Sequence, residues 1–136
     1  MANYKVEQIE GIGEKLGAKF RKVGIINTDK LLAGTKTKKQ REALEAATGI
    51  PHDLMLRFAN MADLFRIYGI GRKFSDLLEA AGVDTVVELA ARNPEHLAAK
   101  MEEVNAVKKL ANRVPALKEV ERWVAEAKTM PRVLEY

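Results

Sequence analysis

Glycines flanked by cations are the residues of this 136-residue chain with the most chemical meaning. Ile9, Gly11, Ile12, Gly13 and Lys15 recur 58 positions later as Ile67, Gly69, Ile70, Gly71 and Lys73. At a Gly-Ile-Gly corner the backbone can take left-handed or crowded dihedrals without a Cβ penalty. Two helices can then meet at a tight angle with the middle isoleucine turned inward. The helix leaving such a corner starts with amide N–H groups that have no partner inside it, and with the positive end of its dipole. That setting favours an anion such as a phosphate.

A grip on phosphate also needs nearby cations, and here the two corners differ. Arg66 precedes the second corner, and Arg72 and Lys73 follow it, whereas Glu10 and Glu14 flank the first and would repel a close phosphate. The stronger candidates are therefore the amides of Gly69, Ile70 and Gly71 with Arg72 and Lys73. Those of Gly11, Ile12 and Gly13 are the weaker. Lys15, Lys19 and Lys22 are spaced to share one helix face, which a solvated exterior would also explain. Lys36, Lys38, Lys39 and Arg41 are four cations near a helix start, where the dipole prefers acids. A phosphate backbone would offset that repulsion, and so would plain exposure to water.

Charge follows the same division. The chain carries a net +4. From Gly13 to Arg41 there are nine Lys or Arg against Glu14 and Asp29, and from Glu42 to Tyr136 there are 13 basic against 15 acidic residues. An anionic partner should therefore prefer the first repeat and the segment after it.

Other chemistries find little support. His52 and His96 are far apart and in no metal spacing, and no cysteine is present for thiol catalysis, thiolate ligation or a disulfide. The Gly-x-Gly turns lack the third glycine and preceding strand of a dinucleotide fingerprint, and no P-loop or nucleophile elbow occurs. Glu102 and Glu103 are adjacent on a polar stretch and point different ways. No enzymatic activity, metal, cofactor or small-molecule substrate is expected. Phe20, Phe58, Phe65, Phe74 and Trp123 fall at core spacing, so they are assigned to packing rather than to base stacking.

The elements that must hold the corners read as helices throughout, so the expected class is all-α. The first corner leads into a helix with Leu16, Phe20 and Val23 inward, closed by Gly24. A short helix from about Thr28 follows. Thr37 and Gln40 resemble a capping box for a helix through Ala47, which Gly49 closes and Pro51 restarts, with Leu54, Phe58 and Met61 inward. Asp63 is placed as the cap of the helix entering the second corner. Phe74, Leu77, Leu78 and Ala81 pack the helix leaving it, before Gly82. Thr85 caps a short helix, Asn93-Pro94 opens one carrying Leu97 and Met101, and Pro115 opens a last one lined by Leu117, Val120, Trp123, Val124 and Ala127.

The matches at one offset extend to Gly24 with Gly82 and Leu31 with Leu89, the mark of one unit built twice. The expected organisation is a single domain over 1–136. Unit one covers about 4–49, unit two about 51–105, and a clamping helix about 115–129. No apolar run reaches the roughly 18 residues of a membrane span, and Met1 to Glu7 lacks a secretory pattern, so a cytoplasmic location is expected.

Glu10-Gly-Ile-Gly-Glu-Lys-Leu and Tyr68-Gly-Ile-Gly-Arg-Lys-Phe resemble the helix-hairpin-helix motif of DNA repair and replication proteins. The order of the first hairpin, Gly24-Ile25, Asp63 to Ile67, the second hairpin, Gly82 to Thr85 and Trp123 to Lys128 resembles a bacterial family of tandem helix-hairpin-helix proteins. That family is catalogued as a domain of unknown function, and the resemblance spans nearly the whole chain. It implies the fold but not an activity. The expected partner is DNA or another polyanion, bound at its backbone without regard to sequence. The alternative is a protein partner or self-association, with the hairpins as scaffold only.

Overall fold

Glycines and short polar caps decide where each helix of this protein begins and ends. The computed structural model describes residues 3–136; Met1 and Ala2, included in the expected domain, lie outside the described residues. After a single 3-10 turn at Val6–Gln8 come α1 (Glu14–Lys22), α2 (Thr28–Ala33), α3 (Lys38–Thr48) and α4 (His52–Leu64). Then follow α5 (Arg72–Ala80), α6 (Val86–Ala90), α7 (Pro94–Lys108) and α8 (Leu117–Thr129). No strand forms among the described residues; Lys5 and Asn27 make one isolated bridge. The result is an all-α single domain.

The starts follow from local chemistry. Asn27 Oδ1 accepts from Lys30 N–H at 2.8 Å to open α2, and Thr85 Oγ1 accepts from Glu88 N–H at 3.3 Å to open α6. Thr37 and Gln40 form the reciprocal capping box of α3, and Gly49 ends that helix at φ +74°. Asn93 caps α7 with Pro94 in its first position. Pro115 lies two residues ahead of α8, whose first turn is set by Ala116 N–H donating to Glu119 Oε1 at 3.0 Å.

The backbone around the first corner has a counterpart 58 residues on. Ile12 N–H donates to Ile9 C=O at 3.0 Å, and Ile70 N–H to Ile67 C=O at 3.2 Å. Gly17 N–H bonds Gly13 C=O as Ser75 N–H bonds Gly71 C=O, and Ile25 N–H bonds Phe20 C=O as Val83 N–H bonds Leu78 C=O. Gly11 and Gly69 sit at φ +96° and +90°, where an L side chain would be strained.

Two apolar clusters fill the interior. One gathers Val6, Ile9, Ile12, Phe20, Leu31, Met55, Phe58 and Phe65; the other gathers Ile67, Ile70, Leu77, Leu78, Leu89, Leu97, Val120 and Trp123. Each large apolar side chain buried in full contributes about 1.5–3 kcal/mol. Phe20 meets Phe58 edge to face at 6.2 Å between centroids.

Several expectations need correction. Val23, Leu54 and Leu117, expected inward, are about 40% exposed, because Val23 caps the end of α1 and the buried stripe of α4 runs through Met55, Phe58 and Met61. A 3-10 turn, not a helix, enters the first corner. Asp63 does not cap α4. It lies in that helix's last turn and accepts from Val86 N–H at 2.8 Å, adding a second acceptor at the α6 start that Thr85 caps, while its other oxygen takes Arg66 at 2.8 Å.

Beyond α8 the chain turns back across the first cluster. Leu134 is buried there, Glu135 N–H donates to Lys36 C=O at 2.7 Å, and Tyr136 Oη donates to Asn60 Oδ1 at 2.8 Å.

Candidate functional site

Both glycine corners reach solvent. Gly11, Gly13 and Gly69 are exposed and Gly71 is half-exposed, and open space surrounds the positions where Gly13 and Gly71 would carry a Cβ. Gly13 and Gly71 are the N-caps of α1 and α5, and no side chain caps either helix. The opening amides of these two nine-residue helices therefore face outward with the positive dipole ends behind them. Ile12 and Ile70 differ from their glycine neighbours. Their amides are tied to Ile9 and Ile67 and their side chains are buried, so they shape the corners and offer nothing to a ligand.

A side-chain ion pair bridges the two corners. Arg72, the first residue of α5, donates through Nε to Glu10 Oε2 at 2.6 Å. That bond holds the Glu10 carboxyl below the usual carboxylate range, with Lys73 and Arg57 adding to the effect. Glu10, read from the sequence as a repelling charge, is thus neutralised by the other corner. Lys73 beside it is exposed.

Each corner is also latched from behind by an arginine. Arg57 of α4 donates from Nη1 to Glu10 C=O at 2.7 Å, and Arg122 of α8 donates from Nη1 to Tyr68 C=O at 3.2 Å. Glu10 and Tyr68 occupy the same place in the two corners. Arg57 is followed by Phe58 and Arg122 by Trp123, and the two helices share their length of 13 residues. Arg57 is further bound to Glu79 at 3.0 Å and lies 3.6 Å from Asp76. Burial holds the Asp76 carboxyl above its ordinary range, helped by the negative charge of Glu10.

These latching residues were missed in the sequence because they were read as core helices alone. The Arg-aromatic pair common to α4 and α8 is the signal that would have found them.

Of the remaining candidates, Lys15, Lys19, Lys36, Lys38 and Lys39 are exposed, and with Lys73 they join no ion pair among the described residues. Two arginines leave the candidate surface. Arg41 is buried; its guanidinium donates to Thr35 C=O at 2.8 Å, Lys36 C=O at 3.2 Å and Glu135 C=O at 2.6 Å. Arg66 is buried too, paired with Asp63 and donating to Pro131 C=O at 3.2 Å, so it cannot serve the second corner. The Lys36–Lys39 segment is tied to the chain after α8, and the corners are tied to α4, α5 and α8.

Among the described residues no three His, Cys, Asp or Glu side chains gather as metal ligands, and no helix is long and apolar enough to cross a membrane.

These features define an all-helical protein whose two glycine corners are joined by the Glu10–Arg72 ion pair. The chain belongs to the family described as Domain of unknown function (DUF4332), whose model matches residues 10–130. No curated protein and no solved structure matches it.

Proposed function

We propose that the chain is a non-catalytic module of two helix-hairpin-helix units that binds the backbone of DNA or a similar polyanion without reading its sequence. One observation carries this reading: two helix starts without a side-chain cap open to solvent, linked by the Glu10–Arg72 bond and flanked by the exposed Lys15 and Lys73. The exposed amides of α5 with Arg72 and Lys73 form the leading contact. Lys15 and Lys19 extend it along α1. Lys36, Lys38 and Lys39 form a second, separate basic surface.

The units are supported by the matching hydrogen bonds at Ile12 and Ile70, at Gly17 and Ser75, and at Ile25 and Val83. Their closing helices are α4 and α8, each reaching its own corner through an arginine.

Binding of this kind runs on counterion release. With about four phosphates neutralised, affinity for duplex falls roughly 10²-fold between about 50 and 200 mM salt. Fluorescence anisotropy of a labelled duplex at the two salt concentrations measures this. Flat anisotropy at tens of micromolar protein in low salt removes the proposal and leaves a protein-interaction scaffold in its place.

A further inference from the structure

Between α3 and α4 lies a cavity of about 200 Å³ lined by Lys38, Arg41, His52, Leu56 and Tyr136. Lys38 and Arg41 give it two fixed positive charges, His52 adds an imidazole, and no Asp or Glu lines it. It is smaller than the roughly 300–1,000 Å³ of a drug-sized site, so an occupant must be compact.

Arg41 is the unusual wall. It is only 2% exposed, yet it forms no ion pair among the described residues. Its three hydrogen bonds end on the uncharged carbonyls of Thr35, Lys36 and Glu135, and its Nε has no partner. A guanidinium withdrawn from water without a counter-ion is costly. Nothing nearby offsets it: Lys38 and Lys39 open α3, whose first turn holds no acid although the helix dipole favours one there. Glu45, further along α3, is already engaged, taking His52 Nδ1 at 3.0 Å.

We propose that this cavity binds a small phosphate monoester, its charge balanced by Lys38 and Arg41 and its organic part set against Leu56 and the Tyr136 ring. The exposed Lys38 and His52 meet the ligand, while Arg41, enclosed, acts through its charge. Charge selects the phosphate. A monoester carries about −1.5 to −2 at pH 7, which matches two fixed cations, whereas a carboxylate or a backbone phosphodiester brings about half of that. This ligand is distinct from the polyanion proposed above and does not rest on that reading.

His52 and His96 are the two histidines of the chain, and only His52 lines the cavity, so their ring resonances separate this site from binding elsewhere. The full chain is titrated at constant pH and ionic strength with inorganic phosphate, phenyl phosphate, acetate, sodium chloride and a short duplex without terminal phosphates. His52 is expected to shift saturably with the two phosphates, more tightly with phenyl phosphate, while His96 follows the chloride control. Lys38→Gln should weaken phosphate binding about tenfold, and Arg41→Gln at least as much. Lys128→Gln, an exposed charge on α8, should leave it unchanged. Saturating phosphate should raise the melting temperature of the unaltered chain more than that of Lys38→Gln.

A His52 resonance that moves no further with phosphate than with chloride overturns the site, as does equal phosphate binding by Lys38→Gln. Acetate acting as strongly as phosphate overturns the choice of ligand class. A duplex that shifts His52 as far as phosphate does assigns the phosphate to a polymer and overturns the small ligand. If Arg41→Gln fails to fold, Lys38→Gln, a change at an exposed side chain, decides.

Discussion

Arg72 Nε lies 2.6 Å from Glu10 Oε2, so the first turn of α5 is bonded to the residue that leads into Gly11. The carboxylate stands where an incoming phosphate would seek its cation. It is a resident rival for Arg72, and both side chains remain about 40% exposed.

Glu10→Gln is therefore expected to tighten duplex binding, roughly three- to tenfold at low salt, because Arg72 is released from its carboxylate and can pair with a phosphate instead. Stability should change by no more than about 1 kcal/mol, the range of an exposed ion pair. Anisotropy titration and a thermal melt measure the two effects. Equal affinity in the variant would show that Arg72 takes no part.

Acid should weaken the fold through the same type of pair. Glu10, Glu7 and Glu119 are held below the ordinary range by hydrogen bonds from Arg72, Arg21 and Arg113. A depressed carboxylate adds stability above its unfolded pKa and loses it as pH falls through its folded one. Asp76 and Asp84, raised by burial, act in the opposite sense and blunt the loss. The melting temperature should decline gently below about pH 4.5, and less at high salt, since the paired groups are partly exposed. A steep loss already at neutral pH would contradict this assignment.

Asp63 is the reverse case, a charge held in the interior. Asp63→Ala leaves the Arg66 guanidinium buried without its partner and removes the acceptor for Val86 N–H. The expected loss is about 3–5 kcal/mol in urea unfolding. Asp63→Asn, which keeps an acceptor, should lose less.

Arg41 and its lysine neighbours should separate cleanly. Arg41→Gln gives up charge-assisted bonds to three carbonyls and should cost about 1.5–3 kcal/mol of stability, while the folded fraction binds duplex as before. Replacing Lys36, Lys38 and Lys39 by Glu should leave the melt near that of the unaltered chain and weaken duplex binding, because these side chains are exposed. Duplex binding unchanged in the triple variant would confine the interface to the corners.

Much of this architecture was legible because its signals are local. Thr37 with Gln40, Asn93 with Pro94, and Gly49 each act within one turn, so residue type alone places a helix end. The corners were legible from identical residues at one spacing. What escaped was set by distant contacts. Arg41 reads as one of four surface cations until the chain after α8 covers it, and Arg66 reads as a cation of the second corner until Asp63 takes it inward. The parallel between Arg57 of α4 and Arg122 of α8 stayed hidden for another reason: α8 begins 65 residues after α4, not 58, and at that spacing the two helices share only Arg57 with Arg122 and Ala62 with Ala127.

The chain after α8 joins ends of the protein that lie far apart in sequence. Its Leu134 enters a cluster founded on Val6 and Ile9, and its backbone is gripped by Arg41 and Arg66. Neither half can then loosen without pulling on the other, so heat or urea should melt the molecule in a single cooperative step.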